Sequence, residues 1–411
     1  MVTFAYPDRY ERDGVTHKTP QRPHGLLEAV QTSAPGEEIH LRGTVNGLDF
    51  AGSPGKARSV HRPEPIDVKI RGMGATNPGA VFRSAFFDDK GGGIARVAFF
   101  DMNVEAWPTQ YPFVSVQNPR PGRIVFRRSR FTAPDGKVKS FVRTYNHAVA
   151  GTELSASDAL EYLWYWTGSN AVLKGIHAQN MGRGVCQSVI RNVEGEFNGI
   201  PLTHLVTSPE DEVSLAGIRA RGCGWDGSSA ISITGHPGRV HISDLDIESS
   251  ERTGAVYVRY NTKQNEQEPN VHWKHARAID DGRINPDLRA QNEVTIDLQG
   301  SRIVLPHTDR EPIFADSTSV LTIASDLETV VSSPKAALSL EENGHGRIVC
   351  PAGFPRAGAE IADKSIGSLV MTGYFTTWAR EDATGTPIHS PLFMRRGASF
   401  DPAKYYTPRG S

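Results

Sequence analysis

Arg219, Asp246 and Arg277 occupy equivalent places in three consecutive copies of one apolar pattern, so stacking the copies would align them as an Arg–Asp–Arg column. Asp244 lies beside the column and over His275, and Ser214, His241 and His272 share a second equivalent place. Guanidinium groups take carboxylates bidentately, which suits a ligand built from acidic sugars. The same residue types suit a β-elimination, which needs a base for the proton at C5 and a cation for the developing enolate. In that reading Arg219, Asp246 and Arg277, with His241 and His272, sit at the reacting sugar; His, Lys or Arg can act as the base, with Arg219 or Arg277 as the stabilising cation. The plainer alternative is an outward ion-pair ladder that only offsets charge along the stack, since exposed pairs are worth little.

A second column is more basic. Place four of the pattern reads Arg71, Phe100, Arg127, Lys174, Arg191, Ala216, Ser243 and Lys274. Copies stacked like strands would set neighbouring cations about 4.8 Å apart, where they repel unless an anion lies along them. Arg71, Arg127, Lys174, Arg191 and Lys274 are therefore candidate contacts to a uronic-acid or sialic-acid polysaccharide. In Leu160–Trp166 (LEYLWYW), Tyr162, Trp164 and Trp166 share one strand face. Trp164 and Trp166 are candidates for stacking on sugar rings, with core filling or a subunit interface as the alternative.

These places are defined by a pattern with apolar residues at places one, three, six and eight, recurring roughly every 27 residues. It reads Val68-Ile70-Met73-Ala75, Val97-Phe99-Met102-Val104 and Ala171-Leu173-Ile176-Ala178. It returns as Val213-Leu215-Ile218-Ala220, Val240-Ile242-Leu245-Ile247 and Val271-Trp273-Ala276-Ala278. Looser copies start at Ile124 and Ser188, and the gap between Ile124 and Ala171 has room for one poorly matching unit. The step from place three to place six breaks strict alternation, so each copy predicts a short strand, a bend and a second short strand. Such a period predicts stacked units that bury their apolar faces against one another; an irregular β-sandwich is the alternative.

The bulk composition narrows the class. The chain has 411 residues, a net charge of −1, 40 Gly and 27 Pro, which favours turn-rich all-β structure and gives no general attraction to nucleic acid. Its three cysteines, Cys186, Cys223 and Cys350, lie at no metal-ligand spacing and predict buried thiols. No apolar run is long enough to span a membrane. Residues 1–24 are polar, without a secretory apolar region, and read as an extended arm. That fits removal of a leader, or exit from the cell by another route such as lysis. Residues 24–32 (HGLLEAVQT) predict a short helix ahead of the strand at Ile39, and residues 376–411 read as a tail or contact segment.

The helical segment, the opening Pro35–Gly43 (PGEEIHLRG) and turns such as Arg239–Ile247 (RVHISDLDI) resemble the pectate-lyase-like superfamily. The resemblance implies an all-β, right-handed, single-stranded parallel β-helix with an N-terminal helical cap over 25–375, its clearest repeats at 66–280. It does not fix activity, because that superfamily holds lyases, hydrolases, epimerases, phage tailspikes and non-enzymatic surface proteins. Asp280 and Asp281, with Gly344-His345-Gly346, are similar to fragments of the polygalacturonase-type hydrolase pattern. The Asn-Thr-Asp expected in the preceding turn is missing, however, and adjacent Asp residues are common turn formers. The reading expected first is a virion or cell-surface protein of tailspike, fibre or decoration type, with a structural or glycan-binding role. An acidic-polysaccharide lyase comes second and a glycoside hydrolase third. Expected partners are acidic polysaccharide or other virion proteins, not nucleic acid or membrane, with a homotrimer by analogy. No motif indicates a cofactor, although a β-helix can assemble a calcium site from several turns.

Overall fold

A strand that changes direction while keeping its apolar face inward needs one residue whose backbone turns the other way. In the computed structural model of this chain that residue recurs at place five of the pattern, with positive φ at Asp101 (54°), Arg128 (47°), Glu153 (55°), Gly175 (63°), Gly217 (66°) and Asp244 (52°). The left-handed residue swings the chain round a corner, and the next inward side chain arrives at place six. That is why the apolar spacing jumps there. L-residues pay about 1–2 kcal/mol for this conformation, whereas glycine adopts it freely.

Side chains are described for residues 29–30, 32–40, 63–72, 94–104, 122–133, 136, 138–144, 147–166, 170–187, 212–233, 239–258, 294–314, 323–324 and 328–334. Further strands are described through their backbone. Strands Ile66–Gly72, Ile94–Phe100, Gly122–Thr132, His147–Ser157, Ala171–Gln179, Glu212–Arg221 and Arg239–Glu248 each pair in parallel with the next. Between them the chain visits a second parallel sheet, through Val142–Tyr145, Tyr162–Thr167, Gly184–Val189, Ser229–Thr234, Gly254–Arg259 and Ile313–Asp316. Among the described strands these sheets hold 18 and 11 members. Parallel neighbours need a crossover, and from Gly122–Thr132 onward each crossover passes through the other sheet. The chain is therefore all-β and climbs as a stack of parallel rungs, consistent with a parallel β-helix.

The register fixes which residues are vertical neighbours. Val68, Val97, Ile124, Val149, Ala171, Val213 and Val240 form one unbroken column. All are 2% exposed or less. The unit missing between Ile124 and Ala171 starts at Val149, and it escapes the pattern because place three is Gly151. A Cβ on Gly151 would come within 2.8 Å of Leu154 and Leu173 side-chain carbons and 3.2 Å of Trp164. The Trp164 ring from the second sheet occupies that room, edge-on to Phe126 at 5.6 Å between centroids. Phe126 itself stacks on Phe99 of the rung before, at 4.4 Å and 7°.

Two copies read from the sequence need correction. The copy at Ser188 is not a rung of the first sheet: Ser188 lies in the second, paired with Trp166 and Ile233. After Val240 the next rung of the first sheet starts at Val294, in register with it, not at Val271. Residues 260–292, including Val271–Ala278, lie outside the described residues. The pattern degrades after 293 because the bend lengthens: Ile296 and Ile303 are both inward, two residues further apart than places three and eight. Gly300 supplies the positive φ of this longer bend (66°).

At the N-terminal end, Val2–Ala5 pairs in parallel with Glu37–Leu41, so the backbone of the segment read as an arm contributes a strand. Of the helix expected over 24–32, Ala29 and Val30 are helical and buried in the core, and most of the remainder lies outside the described residues.

Candidate functional site

Beyond the bend, places seven and nine point outward and place eight inward, because strand side chains alternate. Stacking makes two outward columns. The first runs Arg130, Ser155, His177, Arg219, Asp246, Arg302, and the second Thr132, Ser157, Gln179, Arg221, Glu248, Val304. A groove of about 560 Å³ lies on this face; its polar lining is Arg130, Ser155, Ser157, His177, Gln179, Arg219, Arg221 and Asp246, completed by Phe131, Ala156 and Ala178. Four of the eight polar residues are basic types and one is a carboxylate. Hydroxyl and amide groups fill the middle.

One end of the groove is an ion-pair network. Arg221 Nη2 donates to Asp246 Oδ2, and Arg221 Nη1 to the Asp246 carbonyl at 3.0 Å. Arg302 Nη1 donates to Glu248 Oε2 at 2.7 Å and to Asp246 Oδ1 at 3.4 Å. The Arg221 hydrogen bond, followed by Arg302, holds the Asp246 carboxyl below its ordinary range despite some desolvation. Asp246 is thus an anion clasped by two guanidiniums, poorly suited to donating a proton. Arg219 turns away from its register neighbour and donates to Asp244, through Nη2 to Oδ1 at 2.7 Å and Nη1 to the carbonyl at 2.8 Å.

The other end is unpaired. The side chains of Arg130 and His177 are exposed, and among the described residues neither makes a hydrogen bond or ion pair. His177 is the register neighbour of both Ser155 and Arg219. A cation and an imidazole with open valences, on a face whose other arginines are already satisfied, leave room for an acidic ligand.

The candidates read from sequence are therefore redistributed. Arg219 and Asp246 share the groove, but the guanidinium stacked on Asp246 is that of Arg302. Arg277, His272, Asp280, Asp281, Arg191 and Lys274 lie outside the described residues. His241 belongs to the arm before the bend, in register with Ser214 and Thr295, and does not line the groove. The place-four column reads Arg71, Phe100, Arg127, Thr152, Lys174, Ala216, Ser243, Asp297, so an uncharged rung separates its cations. Their spacing becomes roughly 10 Å, beyond the screening length at physiological salt, and no bound anion is needed to hold them. Arg71 is moreover satisfied within the protein. It pairs with Glu38 at 2.8 Å and Asp101 at 3.0 Å, and lies 5.1 Å from the centre of the Phe100 ring.

Trp164 and Trp166 are 0% exposed, which corrects their assignment as sugar platforms: their rings fill the core. The residues the sequence reading passed over are Arg130, Ser155, Ser157, His177, Gln179, Arg221 and Arg302. Arg130 and His177 already stood at place seven, and their lack of partners was the missing signal. Arg221 sits at place nine, outside an eight-residue template. Among the described residues no three His, Cys, Asp or Glu converge as metal ligands. Comparison with known proteins finds no matching family model, no matching curated protein and no matching solved structure.

Proposed function

We propose that this chain is a surface solenoid that binds an acidic polysaccharide along the groove from Arg130 to Asp246. The fold that goes with the reading is a right-handed β-helix of the pectate-lyase-like kind, in a virion or cell-surface protein of tailspike, fibre or decoration type. By analogy its oligomeric state is a homotrimer. The observation that carries the reading is a pair of groups unpartnered among the described residues, Arg130 and His177, opening onto a groove whose remaining arginines are fixed by Asp244 and Asp246. Arg219 and Arg221 are already held by Asp244 and Asp246, so their remaining donors meet a carboxylate at lower entropic cost than freely moving arginines would. A hydrolase needs two carboxylates flanking the bond. Among the described lining residues Asp246 is the one carboxylate, and two arginines hold it.

The test is binding of polygalacturonate, alginate, hyaluronan and polysialate to the whole chain by calorimetry at low and moderate salt. At least one polymer is expected to bind, to weaken as salt rises, and to lose about tenfold or more in affinity on Arg130→Ala with His177→Ala. Equal binding by that double variant, or none of the four polymers binding, contradicts the reading.

One observation favours a second reading, a lyase. His177 lies one rung from Arg219, placing a base beside a guanidinium as β-elimination demands. Ultraviolet absorbance from unsaturated sugar ends would then grow with time and vanish with His177→Ala. A flat trace with every bound polymer leaves binding alone.

A further inference from the structure

The turn that leaves the groove strand at Arg221 carries an unusual side chain. Trp225 is 46% exposed, the one large apolar side chain exposed among the described residues. An isolated apolar residue on a surface is ordinary, but this one is held by a built support. Gly222, Gly224 and Gly227 all have positive φ (58°, 86° and 87°), so the turn can fold tightly enough to present its tip. Backbone bonds fasten that tip to the rung beneath: Gly224 N donates to the Met181 carbonyl at 2.8 Å and Asp226 N to the Gly182 carbonyl at 3.0 Å.

Gly182 lies against the indole. A Cβ there would approach Trp225 Cζ2 to 2.8 Å and the Leu160 carbonyl oxygen to 1.7 Å, so backbone and ring share that space. Beside it, Arg183 Nε donates to Asp226 Oδ2 at 2.6 Å, and Ser228 N donates to Asp226 Oδ1 at 3.1 Å. The guanidinium also lies 5.9 Å from the centre of the Tyr162 ring. The result is a half-exposed indole set against the Gly182 backbone, with a charged donor–acceptor pair formed by the adjoining residues Arg183 and Asp226. Burying the ring against protein would have served the core better. Leaving it open while immobilising its support suits an amphipathic ligand.

We propose that Trp225 is a stacking platform for a pyranose ring, with Arg183 and Asp226 meeting the hydroxyl groups at the ring's edge. A pyranose presents a C–H face to the indole and hydroxyls around its rim, matching both features of the surface. The ligand class rests on the glycan reading above, but the residues do not: none of Trp225, Arg183 and Asp226 lines the groove. A sugar chain held in the groove beside Arg221 would meet Trp225 where it passes round the corner at Gly222.

The experiment titrates the whole chain with the same four polymers and with cellohexaose, a neutral probe, following tryptophan fluorescence and calorimetric affinity. Wild type, Trp225→Ala, Trp225→Phe and the Arg130→Ala/His177→Ala variant are compared. Trp225→Ala is expected to abolish the fluorescence change and to weaken binding about tenfold for every probe that binds. Trp225→Phe should retain part of the affinity, which a folding defect would not allow, and all variants should share the wild-type circular dichroism. If Trp225→Ala binds every probe like wild type while the groove variant loses affinity, the platform is overturned and the groove reading stands. If only the groove variant keeps wild-type affinity, the groove reading fails and the platform survives. If no probe binds the wild type, both fall.

Discussion

Arg219 stands in register with Asp246 yet donates to Asp244, two residues earlier on the neighbouring strand, leaving Asp246 to Arg221 and Arg302. The offset follows from the bend. Asp244 has a positive φ, so its carboxylate leaves the strand line and meets the arginine of the rung below. Arg221, two residues further along that rung, makes the same backward reach to Asp246. The ladder is therefore diagonal for Arg219 and Arg221, each bonding to the residue two before its partner in register, whereas Arg302 bonds to its own register partner Asp246 and to Glu248.

Asp246 links this geometry to acid stability. Its folded carboxyl titrates below the ordinary value of 3.8, chiefly through Arg221, so its contribution is fully present above that value and fades as pH falls through the lower folded one. Asp246→Asn should lower stability at neutral pH by about 1 kcal/mol or less, since the pairs are partly exposed. The gap between wild type and variant should hold above about pH 5 and close in stronger acid. Thermal unfolding as a function of pH measures it. A gap that widens on acidification contradicts the assignment.

The bend residues make opposite demands on substitution. Gly217→Ala should destabilise by about 1–2 kcal/mol, because it forces a side chain into the left-handed region, with its Cβ 3.2 Å from the Gly175 amide nitrogen. Glu153→Gly, at the same place two rungs earlier, relieves that conformation at a cost of about 0.5–1 kcal/mol in backbone entropy. It should be neutral or slightly stabilising. Chemical denaturation of the two variants checks the sign of each, and equal losses would mean that place five carries no such strain.

Trp164 is expected to matter for folding and not for ligand contact. Truncation to Ala opens a cavity beside Phe126 and Gly151 and should cost about 3–5 kcal/mol. The denaturation midpoint should fall accordingly, while affinity for any bound polymer, measured at a temperature where the variant is folded, stays within about twofold of wild type. A variant as stable as wild type but deficient in binding would restore the surface role.

The rung was legible in the sequence wherever all four inward places held apolar side chains, as at Val213 and Val240. It was hidden where packing let a partner sheet fill the space, because Gly151 is inward but contributes no side chain of its own. It was hidden again where the bend lengthened, since Ile296 and Ile303 keep their inward orientation at a spacing the pattern does not contain. The groove was half legible for a related reason. Place seven already held Arg130, His177, Arg219 and Asp246, but unit order decides which charges touch, and that order depended on the unseen rung at Val149 and the displaced one at Val294. Ion pairing is a property of register; a list of charged residues does not contain it.

The most direct test is a cross-link across the junction where sequence pattern and structure part. Ser243 and Asp297 are register partners on neighbouring rungs, about 4.8 Å apart by strand spacing and so within reach of a disulfide. With both changed to Cys, mild oxidation should close a single bond rapidly, identifiable by mass spectrometry of the linked peptides, while buried Cys186 and Cys223 stay reduced. If the folded double variant stays open under conditions that oxidise exposed thiols, Val294 does not follow Val240, and the stacking of Arg302 on Asp246 fails with it.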